Sequence, residues 1–316
     1  MNAINSTLSS LAIGKAQTFG HLTLFPLIAN DTRARDYDTL DEALGKEGIE
    51  ISEISEGGSI PNLLLKNRLD RDVLLVDGEE LVGAKQNRVL NVTVLAAANS
   101  DTQIPVSCVE AGRWRYRGRK FGSSGDVHFA EGRAQKVASV SASMEESNTK
   151  YSAQDEVWDS ISLKSARMGS YSDTAAMEDL YEDHRIQVED YVAAFSADSK
   201  QTGAVFAIGT KIKGLEVFEA PEVFQKLLPK LVRSYALDAM ELDGESTHSP
   251  DSSSVAKLIA DVSHAKTDTH PGVGKGEDLR ISDGNLHAGA LMHEVRVLHL
   301  VAFRIDQHSH RHSGEN

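Results

Sequence analysis

The sequence contains one cysteine, Cys108, in 316 residues. A lone thiol excludes an internal disulfide and a cysteine-based zinc site, and it fits a reducing compartment. Basic residues are also scarce: 33 Lys and Arg stand against 47 Asp and Glu, giving a formal net charge of -14. Such a field repels duplex nucleic acid and anionic membrane surfaces at long range. No long apolar run occurs either. The longest, Val297 to Phe303, is interrupted by His299 and is far shorter than the ~20 residues of a membrane-spanning helix. Met1 to Ser10 lacks the basic start and apolar run of a secretory signal, and nothing repeats at a fixed period. What remains is a chain with 40% apolar residues, enough for one large domain or two small ones. A cytoplasmic location is expected.

Apolar periodicity predicts an α+β fold. The N-terminal half reads as β-rich with a mixed or antiparallel sheet: His21 to Phe25 alternates, Arg71 to Val76 follows a turn, and Arg88 to Leu95 is rich in β-branched residues. Asp38 or Thr39 can cap a short helix over Leu40 to Leu44, with Gly45 ending it in the left-handed conformation. Ser139 to Ser152 has little to bury and reads as a loop or mobile link. Amphipathic helices dominate the C-terminal half. One long stripe runs from Met177 to Phe195, a second from Phe224 to Tyr235 with Pro221 near its start and Pro229 as a kink, and a third from Val255 to Val262, capped by one of Ser252 to Ser254. Strand signals return at Ala204 to Ile208, Leu215 to Phe218, Leu279 to Ser282 and Glu294 to Arg304. Turn-rich stretches at Asp243 to Ser254 and Lys266 to Asp278 are expected outside the core. The expected organisation is one α+β domain over 20–305, divisible into lobes 20–138 and 152–305, with an N-terminal segment 1–19 and a disordered, histidine-rich tail 306–316.

The densest polar information lies in Asp77-Gly78-Glu79-Glu80-Leu81-Val82-Gly83-Ala84-Lys85-Gln86-Asn87-Arg88, between two apolar strands. Loops held by strands are where sites are built. Gln86, Asn87 and Arg88 offer amide donors and acceptors and a guanidinium fork, a set suited to a polar ligand. Asp77, Glu79 and Glu80 could hold magnesium through oxygen, or one carboxylate could act as a general base. The same residues also read as an ordinary solvated hairpin. Glu110-Ala111-Gly112-Arg113-Trp114-Arg115-Tyr116-Arg117-Gly118-Arg119-Lys120 then places four arginines at alternate positions. If extended, Arg113, Arg115, Arg117 and Arg119 share one face and Trp114 and Tyr116 the other, so phosphate and an aromatic ring could both be met. The competing reading is a charged edge strand that blocks unwanted pairing.

Other motifs fail on spacing. Gly272-Val273-Gly274-Lys275-Gly276 lacks the gap, the following Ser or Thr and the preceding strand of a phosphate loop. His293 and His299 lie six apart, ~20 Å along a strand, too far to share one zinc. His299 sits among apolar residues and reads as a satisfied core histidine. Cys108 has no activating neighbour in sequence and reads as buried.

The segment from Asp77 to Arg88, with Ile104-Pro105-Val106-Ser107-Cys108-Val109-Glu110-Ala111-Gly112-Arg113-Trp114, resembles the ADP-ribosylglycohydrolase- and rhodanese-phosphatase-associated protein family. The resemblance continues through Gly214 to Phe218 and Val297 to Phe303. It implies a context of ADP-ribose and related NAD-derived compounds and carries over no catalytic residue. The leading expectation is a domain that binds, and could hydrolyse, an ADP-ribose-like or other phosphorylated small molecule. Glu79, Glu80 and Glu110 are its candidate catalytic residues, with magnesium as a candidate cofactor. Gln86, Asn87, Arg88, Arg113, Trp114 and Arg115 are its candidate ligand contacts. The alternative is a non-catalytic protein that docks on a protein partner through the same charged motifs.

Overall fold

Three hydrogen-bonded β systems carry the chain, as seen in a computed structural model describing residues 3–31, 33–55, 61–242, 244 and 249–305. The first stretch runs α1 (Ala3–Ser9), β1 (Leu11–Ile13), β2 (Gln17–Phe19), β3 (Leu22–Ala29), β4 (Tyr37–Thr39), α2 (Leu40–Gly45), β5 (Ile49–Glu53) and β6 (Asn62–Asn67). Next come β7 (Asp72–Leu75), β8 (Glu79–Gly83), β9 (Arg88–Leu90), β10 (Val94–Ala96), β11 (Ser100–Cys108) and β12 (Lys120–Val127). Four helices follow: α3 (Ala130–Ser147), α4 (Gln154–Met168), α5 (Met177–Asp183) and α6 (Arg185–Ala194). The remainder is β13 (Gln201–Ile208), β14 (Lys211–Phe218), α7 (Pro221–Ala239), α8 (Ser252–His264), β15 (Asp268–Pro271), β16 (Glu277–Asp283), β17 (Leu286–His293) and β18 (Arg296–Arg304). The fold is α+β, strand-rich in its first half, as the sequence predicts.

Strands β11-β6-β5-β12-β8-β9 close into a barrel filled by Ile51, Leu63, Leu65, Leu81, Leu90, Ile104 and Phe121. A three-stranded sheet, β10-β7-β4, lies beside it, with β4 and β7 parallel. The nine-stranded sheet has the order β1-β3-β13-β14-β18-β17-β16-β15, and β2 also pairs with β3. Helices cover both of its faces: α1 and α8 supply Leu8, Val255 and Leu258 to one core, while α3, α6 and α7 supply Val137, Tyr191 and Phe224 to the other. A central strand under two helical layers is buried along its whole length, and every residue of β13 is, from Gln201 and Thr202 to the apolar run Ala204 to Ile208. Pro26 lies opposite Ala204 of β13, but its carbonyl faces the other edge, accepting from Gly14 N–H at 2.8 Å in the gap between β2, which pairs to Leu24, and β1, which pairs from Leu27, so its missing N–H is not called on by β13.

Several local expectations give way to tertiary context. Ser139 to Ser147 is helical, the second half of α3, whose buried face includes Arg133 and Lys136 as well as Val137, Val140 and Met144. The stripe from Met177 to Phe195 is divided into α5 and α6 at His184, whose backbone leaves the helical region. Pro229 lies within a continuous α7, and Asp251, not a serine, caps α8 by accepting from the Ser254 N–H. Glu47, not Gly45, takes the left-handed conformation after α2. Part of the turn-rich 266–278 stretch is strand β15, paired with β16. The arginine-rich 111–119 segment is a loop and not a strand. The predicted tail 306–316 and part of 243–254 lie outside the described residues. No described helix is long and apolar enough to cross a membrane.

Candidate functional site

The predicted hairpin and the arginine-rich segment meet in one buried knot. Arg113 is enclosed and places all five guanidinium donors on the protein: Nε on Glu110 Oε1 at 2.8 Å, Nη1 on the carbonyls of Ala84 and Arg115 at 2.8 and 2.9 Å, and Nη2 on Asn87 Oδ1 at 3.0 Å and Gly83 O at 3.3 Å. No donor is left for a phosphate. Glu110 also accepts from the Asn87 N–H at 3.1 Å and the Thr174 hydroxyl at 2.9 Å. Burial works to raise the Glu110 carboxyl, but the Arg113, Asn87 and Thr174 hydrogen bonds outweigh it and hold it below the usual carboxylate range. Gln86 donates to the Glu110 carbonyl at 2.7 Å and accepts from Arg88 Nη1 at 3.0 Å. Arg88 is itself buried, with Nη2 3.7 Å from Glu53 and its guanidinium 5.8 Å from the Trp114 ring centre. Gln86, Asn87, Arg88, Glu110 and Arg113 thus come together as scaffold, while Trp114 and Arg115 stand outside it, exposed.

Asp77, Glu79 and Glu80 separate. Asp77 is ion-paired with Lys136 of α3, and Glu79 with Lys230 of α7 at 2.7 Å while accepting from the Val76 N–H. Neighbours on a strand point to opposite sides, and Glu80 faces elsewhere. It is fully buried, and neither carboxylate oxygen has a hydrogen-bond partner among the described residues. Burial pushes its carboxyl well above the ordinary range; the nearby Ser124 hydroxyl opposes this, and the charges of Asp126, Glu178 and Glu110 reinforce it by less.

The local reason is a bulge. Between the pairs Ser123–Leu81 and Val127–Glu79, β12 advances four residues while β8 advances two, so Ser124, Gly125 and Asp126 arch out of the ladder opposite Glu80. Gly125 takes φ +88°, open to glycine without strain. Bulges re-aim side chains and concentrate beside active sites. Here the arch forms one wall of a cleft of about 200 Å³, closed by Glu178, Tyr181, Glu182, Arg185 and Val188 of α5 and α6 and by Arg233 of α7. Asp126 is half-buried in that wall, and its carboxyl is pushed up to about 6: burial and Glu189 raise it, against Arg233, Lys230 and Arg185. Arg233 Nε lies 3.7 Å from Asp126 and 2.8 Å from Glu189, and its Nη1 donates to the Gly125 carbonyl. Asn87 Nδ2 donates to Glu178 at 3.0 Å, tying the cleft to the Glu110–Arg113 knot. The Tyr181 hydroxyl donates to the Val127 carbonyl.

Sequence reasoning reached Glu80 and Asn87 but missed Asp126, Glu178, Tyr181, Arg185 and Arg233. A signal was present in Gly122-Ser123-Ser124-Gly125-Asp126, since glycine inside a strand marks a bulge. The chain matches the ARG and Rhodanese-Phosphatase-superfamily-associated Protein domain, ARPP-1, over residues 10–303. It belongs to the ARPP-1 family. That family is associated with the ADP-ribosylglycohydrolase and rhodanese-phosphatase superfamilies. No curated protein and no solved structure matches the chain.

Two further features of this ARPP-1 domain bear on chemistry. Thr93 Oγ1 lies 2.7 Å from His299 Nδ1, and His299 Nε2 lies 3.0 Å from Glu216, which accepts from Arg133 at 2.6 Å. The cavity beside Thr93 holds only about 10 Å³, room for one water and not a substrate, so this network joins barrel to sheet and His299 is the satisfied core residue the sequence predicts. A further cavity of about 560 Å³ is lined by Lys164, Ile208, Asp238, Glu241, Leu242 and Phe303, among others. Glu131, Asp238 and Glu241 bring carboxylate oxygens within 4.8 Å of one another. Lys164 occupies that position, paired with Asp238 at 2.5 Å and with Glu241, and its ammonium stands where a cation would.

Proposed function

We propose that the chain binds and hydrolyses a phosphorylated ribosyl compound of the ADP-ribose class in the cleft beneath the β12 bulge. The observation that carries this reading is the cleft lining itself: Asp126, whose carboxyl burial pushes up to about 6, shares it with Glu178, which accepts from Asn87 Nδ2. A carboxyl raised toward working pH can donate a proton while a second carboxylate accepts one. Asp126 donates a proton to the leaving group, and Glu178, oriented by Asn87, is the carboxylate that activates water. Glu80 contacts no substrate; it is a positioning residue that keeps negative charge from accumulating on the arch. A carboxylate-lined cleft favours the positive charge that develops on a ribosyl carbon as a glycosidic bond breaks. Arg185 and Arg233 are the cations at this cleft that a phosphate would meet, a role the sequence had suggested for Arg113. Magnesium, if it takes part, would take its oxygen ligand from Glu178 and not from Asp126, which must carry a proton.

The test is incubation of the purified chain with ADP-ribose, NAD and ribosylated nucleotides, with and without magnesium, and chromatography of the products. Turnover should fall as pH rises above about 6, because the acid must be protonated, and Asp126→Asn should reduce it at least ~100-fold. No turnover with any member, or full activity in Asp126→Asn, overturns the assignment.

A further inference from the structure

The loop 111–119 that leaves the Glu110–Arg113 knot is a second functional feature, independent of the cleft. Arg113 fixes its root, Gly112 N–H bonds to the Thr174 carbonyl at 2.7 Å, and Arg117 N–H bonds to the Ala84 carbonyl at 2.8 Å. Between these anchors the loop turns its side chains outward. Trp114 is 49% exposed and Tyr116 48%, both large for a surface position. Lys85 stacks its ammonium 5.1 Å from the Trp114 ring centre and 5.3 Å from that of Tyr116, and Arg88 lies beneath Trp114. Arg115, Arg117 and Arg119 are exposed and make no ion pair among the described residues. Lys120 follows, paired on the surface with Glu50.

We infer that this loop is a docking surface for an acidic segment of a protein partner. Trp, Tyr and Arg are the residues that dominate binding energy at protein interfaces, and here a pinned backbone presents all three with little ordering left to do on binding. The patch is cationic within a chain of net charge -14, and that contrast selects the partner. A long polyanion such as RNA would meet the acidic remainder of the surface, whereas a short Asp/Glu-rich segment covers the patch alone. The contact is small, so binding is micromolar and weakens with salt.

The sequence has two tryptophans, Trp114 and Trp158, so a Trp158→Phe chain reports on the loop alone. Titrating it with an Asp/Glu-rich decapeptide should change Trp114 fluorescence with a micromolar midpoint, and 0.5 M NaCl should weaken binding at least ~10-fold. The triple variant Arg115→Glu, Arg117→Glu, Arg119→Glu should weaken it at least ~10-fold with an unchanged melting temperature, since all three side chains are exposed. Binding that survives this variant, or no binding at all, overturns the inference. So does a single-stranded oligonucleotide of equal charge binding more tightly, or light scattering that shows a dimer dissolved by the triple variant. Hydrolysis at the cleft is a separate readout: Asp126→Asn leaves peptide binding intact, so either proposal can fail while the other stands.

Discussion

Replacing Asp126 by asparagine tests the electrostatics of the arch without needing a substrate. The folded protein holds this carboxyl at about 6, against an ordinary 3.8, because burial in the cleft wall outweighs the nearby arginines and Lys230. A raised pKa means the folded state binds the proton more tightly than the unfolded state. The group's stabilising contribution is therefore complete below about pH 4 and lost as pH rises through 6. A difference of about two units corresponds to about 3 kcal/mol at 1.36 kcal/mol per unit. Asparagine keeps the shape and cannot ionise, so Asp126→Asn should gain on the wild type by about 3 kcal/mol between pH 4 and pH 7. The attraction of the ionised carboxyl for Arg233 is already part of that pKa, so losing it adds no separate pH-dependent difference. Urea unfolding of both proteins at half-unit pH intervals, followed by circular dichroism, measures the difference directly. A stability difference that stays constant from pH 4 to 8, or an NMR titration of Asp126 centred near 4, would refute the reasoning.

The other predictions concern groups whose partners are on the page. Lys230→Met leaves Glu79 buried with the Val76 N–H as its remaining contact and should cost about 3–5 kcal/mol in urea unfolding; a loss below 1 would mean the pair is not buried as described. Glu80→Gln replaces a buried carboxyl whose neutral form burial favours with a neutral amide of the same shape, so stability measured the same way should change by less than about 1 kcal/mol. Cys108 is buried and its thiol pushed up to about 11, so a thiol-reactive dye at pH 8 should label it only on unfolding; rapid labelling of the native protein would contradict the β11 packing. Arg113→Ala strips five hydrogen bonds from the knot and should open the 111–119 loop to limited proteolysis well below the melting temperature; unchanged protease resistance would show that the loop holds without it.

What could be read in advance follows from where each residue's partner lies. Helix α7 was legible because Phe224, Leu227, Leu231 and Tyr235 answer to a generic apolar core, and strands β13 and β18 were legible for the same reason. Helix α3 was not, because part of its inward face is Arg133 and Lys136, whose partners Asp77 and Glu216 are dozens of residues away. A charged face reads as solvated until those partners are placed. The arginines of 113–119 show the same limit. Their alternation suggested one cationic face, but Glu110 drew Arg113 inward and left Arg115, Arg117 and Arg119 outside. Glu80 was found for its type and its turn, yet its environment depends on a bulge in β12, four strands later in sequence, which no local pattern around Glu80 encodes.

The position of β3 in the nine-stranded sheet sets a condition on how the chain is made. Its partner β13 begins at Gln201, so on the ribosome Leu22 to Ala29 waits for more than 170 residues before its central neighbour exists. At roughly 5–20 residues per second that interval lasts on the order of 10–30 s, with the apolar stretch Leu22-Thr23-Leu24-Phe25-Pro26-Leu27-Ile28-Ala29 unsheltered. The barrel strands β5 to β12 need only residues 49–127 and can close in the meantime. Synthesis therefore leaves a finished barrel tethered to an unfinished sheet. Pro26, set where no N–H is required, lets the waiting strand interrupt its own pairing surface against other chains without harming the sheet it later joins.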